Sequence, residues 1–447
     1  MTEPTKEANN TVADANADTA IKELSDNLEP KGPPAFIRDI FRFHGSSPRG
    51  SDFFPSSQLF EGRFGRMFRT LHPARFVEAD LKLLGARMIA EHEDVATPET
   101  ESDDEENTGI SAGYTYLGQF IDHDLTFDPA SSLQKQNDPD ALVDFRTPRF
   151  DLDNIYGRGP DDQPYLYQGD GVKLLLGRPL TGNDDPASCD LPRNNPDEGG
   201  GTSGRRRALI GDPRNDENVI VSQLQALMLR FHNHMVDVLS AKHADDPAFR
   251  DPKTLFTQAQ RAVRWHYQWI VVNDFLSTIA GPEIVDTLLP HLRKGTAIDD
   301  DPPQLKFFNW HKEPYMPIEF SVAAYRFGHS MVRPIYRLNQ TLPVRQAIFA
   351  PDENASLTGF RAFPDSWALD WSLFFDLGIK GQPTSGPARL QHSYKIDTSL
   401  VNPLGNLPDV IGANVPSLAE RNLIRGWRMG LPSGQAVARK MGITPIP

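Results

Sequence analysis

The sequence feature that most constrains this chain is a short stretch that places three polar side chains on one face of a helix. Gln119, Asp122 and His123 stand at positions i, i+3 and i+4, and residues at these spacings are neighbours on an α-helix. An apolar stripe runs beside that face and consists of Leu117, Phe120, Ile121 and Leu125. The stretch therefore predicts a helix packed into a core, with an amide, a carboxyl and an imidazole directed together into the interior. Burial of such groups is costly unless they bond to each other or to a ligand.

The overall composition excludes some classes of partner. Of 447 residues, 38% are hydrophobic, so the chain can bury a sizeable core in one large domain or two intimately joined domains. The net charge of −14 disfavours a nucleic-acid partner, because phosphate binding needs clustered Lys and Arg. No apolar run approaches the roughly 20 residues that span a bilayer, so no membrane span is expected.

Two features bear on the location of the protein. Cys189 is the only cysteine, so an internal disulfide is impossible and an intracellular setting is favoured. Residues 1–30 are polar and acidic, and they lack the basic and apolar regions of a secretory signal. We therefore expect a cytoplasmic protein, with secretion by a non-standard route left open.

The first quarter of the chain is uneven in composition. Residues 1–33 have little to bury and are expected to be disordered, and residues 34–447 are expected to form one domain. Within that domain, residues 36–76 predict an arm that wraps over the rest, and residues 79–91 predict a helix. The acidic residues 98–107 predict a solvated loop.

The remainder predicts helices joined by long loops, with only weak strand signals. Residues 180–215 are dominated by Gly, Asp, Pro and Asn, which indicates a long loop. Residues 220–235 keep the spacing of an amphipathic helix, and residues 257–276 predict another. Residues 317–332 are apolar on most sides, which predicts a buried helix. A capping box and a Gly-Leu-Pro stop delimit a last helix within residues 417–432.

Four motifs stand out in the chain: residues 119–124, residues 211–217, residues 325–329 and Asn422. In this order they resemble the animal-type haem peroxidases of the peroxidase-cyclooxygenase superfamily, and the resemblance runs over residues 113–432. It implies a mainly α fold with few short strands, in which haem b lies between central helices. Members of the family usually continue well past the Gly-Leu-Pro motif, so the C-terminal portion is expected to be shortened here.

On one side of the haem, the resemblance makes His329 the proximal ligand of the iron through Nε2. It makes Asn422 the acceptor for the other ring N–H, which fixes the orientation of the imidazole. Arg326 becomes a cofactor-binding residue at the position where dioxygenases of the superfamily carry a tyrosine.

On the open side, cleavage of hydrogen peroxide needs a base that moves a proton and a cation that stabilises the leaving oxygen. The resemblance assigns these roles to His123 and Arg214, and it makes Gln119 complete the pocket. In the family, the carboxyls at the positions of Asp122 and Glu217 form ester bonds to methyl groups of the haem. We expect the same links here.

The residue after Glu217 bears on the electron donor. Asn218 stands where the strongest halide oxidiser of the family has a methionine sulfonium link. A third covalent link is therefore excluded, and efficient chloride oxidation is put in doubt. The expected donors are bromide, iodide, thiocyanate or a small phenol.

A calcium site is expected beside the haem. Thr147, Arg149, Asp151 and Asp153 offer oxygen ligands at alternate positions of one loop, and Asp124, off the haem face, adds a carboxylate. Hard oxygen ligands suit Ca²⁺ rather than a soft metal. The loop also has the form of the family's calcium loop.

Three other functions are weighed against peroxidation. A fatty-acid dioxygenase of the same superfamily would need a tyrosyl radical, but Arg326 occupies the usual tyrosine position and Tyr325 is one step away. A histidine-aspartate metal phosphohydrolase would use the pair His123 and Asp124, and would leave the other motifs unexplained. A non-enzymatic adhesion module would usually have lost a catalytic residue, and none is lost here.

Overall fold

The computed structural model describes residues 62–92, 105–128, 133, 136–138, 142–194, 206–309, 314–342, 345–408 and 415–446. The disorder expected for residues 1–33 lies outside this part of the chain, as do most of the expected arm and residues 98–104. The described residues are mainly helical with few short strands, which confirms the expected fold class. No helix in these ranges is long and apolar enough to cross a membrane.

The α-helices follow one another along most of the described chain. They are α1 (Glu78–Arg87), α2 (Gly113–Leu125), α3 (Asp153–Tyr156), α4 (Val219–Lys242), α5 (Pro252–Ile270), α6 (Leu276–Ala280), α7 (Pro282–Leu288), α8 (Pro290–Lys294), α9 (Leu418–Arg428) and α10 (Gly434–Met441). Two π-helical segments, Val271–Phe275 and Glu319–Ala323, and several 3₁₀ segments, among them Pro213–Asp216 and Ala324–Met331, complete the helical structure.

The strands are short and form three small sheets in the described residues. They are β1 (Gly62–Gly65), β2 (Glu106–Ser111), β3 (Val143–Asp144), β4 (Met316–Pro317), β5 (Ile335–Tyr336), β6 (Gln346–Ala347) and β7 (His392–Tyr394). Strand β1 pairs antiparallel with β3 and parallel with β4, while β2 pairs antiparallel with β7 and β5 with β6.

Helix α2 lies at the centre of the fold. Its four predicted apolar residues are all at most 9% exposed, which confirms the predicted stripe. The helix begins at Gly113, where an added Cβ would lie 2.6 Å from the main-chain oxygen of Phe374, so a side chain would clash there. It ends at Leu125, because the backbone of the next residue, Thr126, is extended.

Helices α4 and α5 pack together, and α4 also packs against α2. The side chain of Asn218 caps α4 by accepting hydrogen bonds from the main-chain N–H groups of Ile220 and Val221. Helix α5 begins five residues before the predicted start, because Asp251 caps it and Pro252 occupies its first turn. Helix α4 confirms the prediction for residues 220–235 and extends beyond it at both ends. Helix α5 confirms the prediction for residues 257–276 as far as Ile270, where the π-helical segment Val271–Phe275 follows.

The prediction of one buried helix over residues 317–332 is wrong. A π-helical turn, Glu319–Ala323, is followed by the 3₁₀ helix Ala324–Met331. These helices have different numbers of residues per turn, so side chains at α-helical spacing do not stay on one face. Phe320 and Phe327 are consequently 36% and 47% exposed.

The acidic stretch before α2 is not wholly solvated, in contrast to the prediction for residues 98–107. Glu106 begins strand β2 and is only 4% exposed. Its Oε1 atom lies 2.6 Å from a guanidinium nitrogen of Arg333 and 2.6 Å from one of Arg389, and both arginines are buried. The two positive charges compensate the desolvation of this carboxylate, which sequence composition alone does not reveal.

Removal of this carboxylate should destabilise the fold. In Glu106→Ala, two buried guanidinium groups lose a shared counter-ion, so we expect a loss of about 3–5 kcal/mol in the free energy of unfolding. Urea denaturation followed by circular dichroism measures it. Glu91→Ala, which removes an exposed carboxylate, is the control and should change stability by less than about 0.5 kcal/mol. Equal stability of both variants would contradict the prediction.

Candidate active site

Helix α2 and the 3₁₀ helix Ala324–Met331 face each other across the centre of the molecule. The Tyr325 hydroxyl donates a 2.8 Å hydrogen bond to the main-chain oxygen of Gly118. The Thr115 hydroxyl donates at 3.3 Å to the main-chain oxygen of Met331. These two bonds hold the segment of His329, which lies between Tyr325 and Met331 in sequence, against α2, where the charge of Asp122 acts on the imidazole.

Helix α9 brings Asn422 to His329, as the resemblance implies. The Asn422 Nδ2 atom lies 3.0 Å from His329 Nδ1, so this orientation of the amide presents its donor rather than the expected acceptor. A half-turn of the amide about χ2 exchanges Nδ2 and Oδ1 and gives the acceptor that an Nδ1–H requires. Within the described part of the chain, His329 Nε2 makes no hydrogen bond.

The environment of His329 favours its neutral form. Burial, together with the positive charge of Arg326, lowers the pKa of His329 to about 4, although the negative charge of Asp122 acts in the opposite direction. A neutral imidazole with an unoccupied nitrogen is the form that ligates a metal. The Arg326 side chain itself is held by a 3.0 Å bond from Nε to the main-chain oxygen of Ser321.

On the α2 side, three of the predicted residues converge. His123 Nε2 lies 3.6 Å from Glu217 Oε1. Gln119 donates a short hydrogen bond through Nε2 to the same carboxylate oxygen. Asn218 donates at 2.9 Å to Gln119 Oε1, which fixes the orientation of that amide. The imidazole of His123 and the amide of Gln119 therefore both approach the carboxylate of Glu217.

Arg214 is held beside His123 by three groups. Its Nη2 atom donates to the main-chain oxygen of His123 at 3.1 Å and to Asp212 Oδ2 at 2.8 Å, and its Nε atom donates to Asp212 Oδ1 at 3.1 Å. The guanidinium carbon lies 4.5 Å from the ring centroid of Phe127. Within the described part of the chain, Nη1 makes no hydrogen bond, so that N–H₂ group can donate to a ligand.

Sequence reasoning gave no role to Asp212, which positions Arg214. Burial raises the pKa of Asp212, but Arg214 and Arg146 outweigh that effect and hold it below its usual value, so the carboxylate stays charged. Arg146 donates to Asp212 Oδ2 at 2.6 Å from its Nη2 atom. The available sequence signal was the Asp-Pro pair, because Asp212 caps the 3₁₀ helix Pro213–Asp216 with Pro213 in its first turn.

The donor set fits a haem with carboxylate attachment points. Asp122 and Glu217 are both partly exposed side chains, whereas the adjacent residues His123 and Asp216 are buried. Asp122 Oδ1 accepts a 3.2 Å bond from the Thr126 hydroxyl, and Oδ2 has no hydrogen-bond partner in the ranges that the structure describes. Two accessible carboxyls and a neutral imidazole with a free Nε2 are the groups that such a cofactor requires.

A second cluster lies on the far side of α2. Asp124, Asp151 and Asp153 are buried, and among the residues that the structure describes neither oxygen of Asp124 nor Oδ1 of Asp151 has a hydrogen-bond partner. Burial and the charge of Asp151 raise the pKa of Asp124 well above its usual value, and burial with both neighbouring carboxyls does the same for Asp153. Buried carboxylates without partners require a cation or a proton.

The expected calcium ligands lie near each other, but their oxygen atoms do not point to one common metal position. No group of three His, Cys, Asp or Glu side chains is arranged to hold a metal ion in the described ranges. The Thr147 hydroxyl donates at 2.6 Å to Asp151 Oδ2 rather than pointing to a common centre. Arg149 can offer only its main-chain oxygen, and its N–H donates at 2.7 Å to the main-chain oxygen of Thr147. The donor types fit Ca²⁺, and the site stays a prediction.

Comparison with known proteins identifies the family of this chain. The sequence pattern of the family described as "Animal haem peroxidase" matches residues 131–368, which are more than half of the chain. The match includes the loop at Thr147, Arg214, Glu217 and His329. Helix α2 lies outside it, as does Asn422.

Individual relatives resemble parts of the chain. Chorion peroxidase of Drosophila melanogaster is 35% identical over 131 residues, which are 29% of this chain and 15% of that protein. Thyroid peroxidase of Homo sapiens is 26% identical over 329 residues, which are 70% of this chain and 31% of that protein. The chain thus spans less than a third of either relative.

Among solved structures, peroxidase A of Dictyostelium discoideum shares the fold. The TM-score is 0.52 at 17% sequence identity, and the match covers 86% of this chain and 75% of that one. At this identity the likeness concerns the fold alone.

The buried carboxylates should make the metal-free protein less stable as the pH rises. The unfolded chain releases the Asp124 proton above pH 3.8, whereas the folded state retains it to higher pH. Above pH 3.8 the folded state therefore binds more protons, and the free energy of unfolding decreases as the pH rises. In chelator at pH 8, we expect Asp124→Asn to be about 1–3 kcal/mol more stable than the unmodified chain and to lose less stability between pH 5 and pH 8. Thermal unfolding at several pH values measures this.

The control for this prediction is Asp161→Asn, which neutralises an exposed carboxylate. It should follow the pH dependence of the unmodified chain. An Asp124→Asn variant that is less stable than the unmodified chain at pH 8 in chelator would contradict the analysis.

Proposed function

Because this chain belongs to the animal haem peroxidase family, we propose that it is a haem-dependent oxidoreductase that uses hydrogen peroxide to oxidise small electron donors. The observation that carries the proposal is a pair of polar sites on two helices that contact each other, α2 and the 3₁₀ helix Ala324–Met331. One site contains His329, with a free Nε2, and Asn422, and the other contains His123, Gln119 and Arg214.

In this proposal His329 holds the haem iron through Nε2, and the iron supplies the redox chemistry when bound. Asn422 keeps the imidazole in place through Nδ1. A side-chain amide is neutral, so it pushes less electron density through the ring than a carboxylate would. Arg326 adds a positive charge near His329, as the lowered pKa of the histidine indicates.

The other side moves a proton and stabilises charge. His123 Nε2 takes a proton from hydrogen peroxide and returns it to the oxygen that leaves as water, which is typically worth 10²–10⁴-fold in rate. Arg214 is charged and held by Asp212, with Nη1 available to donate to the leaving oxygen. A preorganised cation in a site with little water contributes an effect of similar size. Gln119 presents its amide beside this point.

Asp122 and Glu217 are the groups that would form ester links to the haem. Their accessibility supports this assignment, since attachment requires a carboxyl that is not already consumed by buried ion pairs. Asn218 stands where the strongest halide oxidiser of the family has its methionine link, and this supports donors other than chloride. It caps α4 through Oδ1 and donates to Gln119 through Nδ2. We propose bromide, iodide, thiocyanate or a small phenol as donors.

We also propose that Asp124, Asp151 and Asp153, with Thr147 and the main chain of Arg149, bind Ca²⁺. The partnerless oxygens of Asp124 and Asp151 support it. The ion would remove the repulsion among the three carboxylates and so hold α2, which carries His123, in register. Added Ca²⁺ should then stabilise the unmodified chain more than Asp124→Asn.

The alternative functions are less well supported by the geometry. A dioxygenase would need a radical-forming tyrosine, but the Tyr325 hydroxyl is bonded to the main chain of Gly118, and Arg326 occupies the usual position. A histidine-aspartate phosphohydrolase would need His123 and Asp124 at one metal. His123 instead contacts Asn215, whereas Asp124 lies with Asp151 on the other side of the helix.

The first test is the visible spectrum of protein produced with haem and Ca²⁺, taken before and after acid-acetone extraction. We expect a Soret band that stays with the polypeptide, because Asp122 and Glu217 form esters with the haem. In a double variant, Asp122→Asn with Glu217→Gln, the haem should extract. If the haem extracts from the unmodified chain, the ester links are contradicted but the proposed haem-dependent function is not. If no Soret band appears at all, the proposed function is contradicted.

The second test concerns Arg214. We expect Arg214→Ala to keep the haem and to slow the reaction with hydrogen peroxide by about 10²–10³-fold, because the leaving oxygen loses its cation. Stopped-flow absorbance measures the rate constant. Arg178→Ala, which removes an exposed arginine paired with Asp365, is the matched control and should react at the normal rate. An unchanged rate in Arg214→Ala would show that its assigned role is wrong.

A further inference from the structure

The base assigned to peroxide cleavage has a buried neighbour to which the family resemblance gave no role. His123 Nδ1 lies 2.7 Å from Asn215 Oδ1. A neutral imidazole carries its proton on one ring nitrogen only, and the other nitrogen is then the base. The group that faces Nδ1 therefore decides whether Nε2 can accept a proton.

The orientation of the Asn215 amide is set by a second amide. Asn215 Nδ2 donates a 2.7 Å hydrogen bond to Gln225 Oε1, and Gln225 Nε2 donates at 3.4 Å to the main-chain oxygen of Asn154. A main-chain carbonyl can only accept, so Gln225 must present its NH₂ group to it. Gln225 then presents an oxygen to Asn215, and Asn215 presents an oxygen to His123.

Burial fixes the orientations of these two amides. Asn154, Asn215 and Gln225 are all 0% exposed, so water does not replace a lost partner. A flipped Asn215 would place its oxygen against Gln225 Oε1, in an environment where an unsatisfied polar group costs about 1–3 kcal/mol. The Asn154 side chain in turn donates to the main-chain oxygen of Phe120 on α2 at 3.2 Å, so the chain of bonds returns to the helix of His123.

We propose that Asn215, held by Gln225, is a positioning residue that keeps the proton of His123 on Nδ1 and leaves Nε2 as the base. The chemical consequence rests on the proposed function. Nε2 takes one proton from hydrogen peroxide while Nδ1–H stays bonded to Asn215, and Nε2 later returns that proton to the leaving oxygen. Because the acceptor is an amide, no second charge is created beside the imidazolium.

Three charged groups also act on His123. Glu217 lies 3.6 Å from Nε2, Arg214 donates to the main-chain oxygen of His123, and Asp212 interacts with the imidazole through its charge. Helix α4 contributes Gln225, which is uncharged and reaches His123 only through its hydrogen bond with Asn215. None of these groups contacts Nδ1, so they do not replace Asn215 in choosing the tautomer.

The tautomer can be read without haem, from the two ring ¹⁵N shifts of His123 in the full chain labelled on histidine, with His123→Gln identifying the signals. We expect Nδ1–H in the unmodified chain. Gln225→Met keeps the volume but releases Asn215 to flip, so an Nε2–H form should appear beside it. Gln223→Met is the matched control, because Gln223 is a buried glutamine of the same helix that bonds instead to the main chain of Trp367.

The haem-loaded enzyme supplies the second readout. Gln225→Met should lower the rate constant for hydrogen peroxide in proportion to the fraction in the wrong tautomer, which is about twofold for an even mixture. Asn215→Asp keeps Nδ1–H but places a carboxylate against it. The acid limb of the pH profile should therefore move up by about one to two pH units. Asn233→Asp makes the same change at a buried asparagine that bonds to Leu174, and should leave the profile in place.

The outcomes separate this inference from the proposed function. An Nε2–H tautomer in the unmodified chain, or Gln225→Met with an unchanged tautomer, would overturn the positioning role whatever the activity. Nδ1–H in the unmodified chain, a mixture in Gln225→Met and no change in Gln223→Met would support it even if no peroxidase activity were found. A correct tautomer with an unshifted pH profile in Asn215→Asp would overturn only the link to peroxide cleavage.

Discussion

The structure depends on the burial of the polar residues of α2. His123 and Asp124 are buried, and Gln119 and Asp122 are half-buried, in a helix whose apolar stripe is in the core, so the two buried groups must find partners away from water. Gln119 and His123 find theirs on the segment Pro213–Asn218, which explains why that segment lies against the helix.

The two sides of α2 solve this problem in different ways. Around His123, amides and an arginine paired with Asp212 satisfy the polar groups, and the reactive nitrogen is left available. Around Asp124, three carboxyls are buried together, and burial with their mutual repulsion raises the pKa values of Asp124 and Asp153 although the charge of Arg264 acts in the opposite direction. Buried groups that destabilise the fold in this way indicate places where a ligand acts.

Much of the site could be predicted from the sequence, because the spacing of residues on one face of a helix is a local property. The face shared by Gln119 and His123 follows from 3.6 residues per turn, and it holds in the structure. Local reasoning failed where distant groups decide the outcome. Composition places Glu106 in a solvated acidic run, whereas the structure buries it between Arg333 and Arg389. Residues 317–332 looked like one helix, but the backbone changes its pitch at Ala323.

By itself, the sequence determined which residue types carry the chemistry, the stripe that buries α2, and the family to which the chain belongs. Only the tertiary structure decided which nitrogen of His123 is available and how Arg214 is held. The physical reason is that a tautomer and the direction of a guanidinium are set by hydrogen-bond partners from elsewhere in the chain. Asn215 is 92 residues from His123 in sequence, and its partner Gln225 comes from another helix. Periodicity cannot report such contacts, because they exist only once the helices have packed.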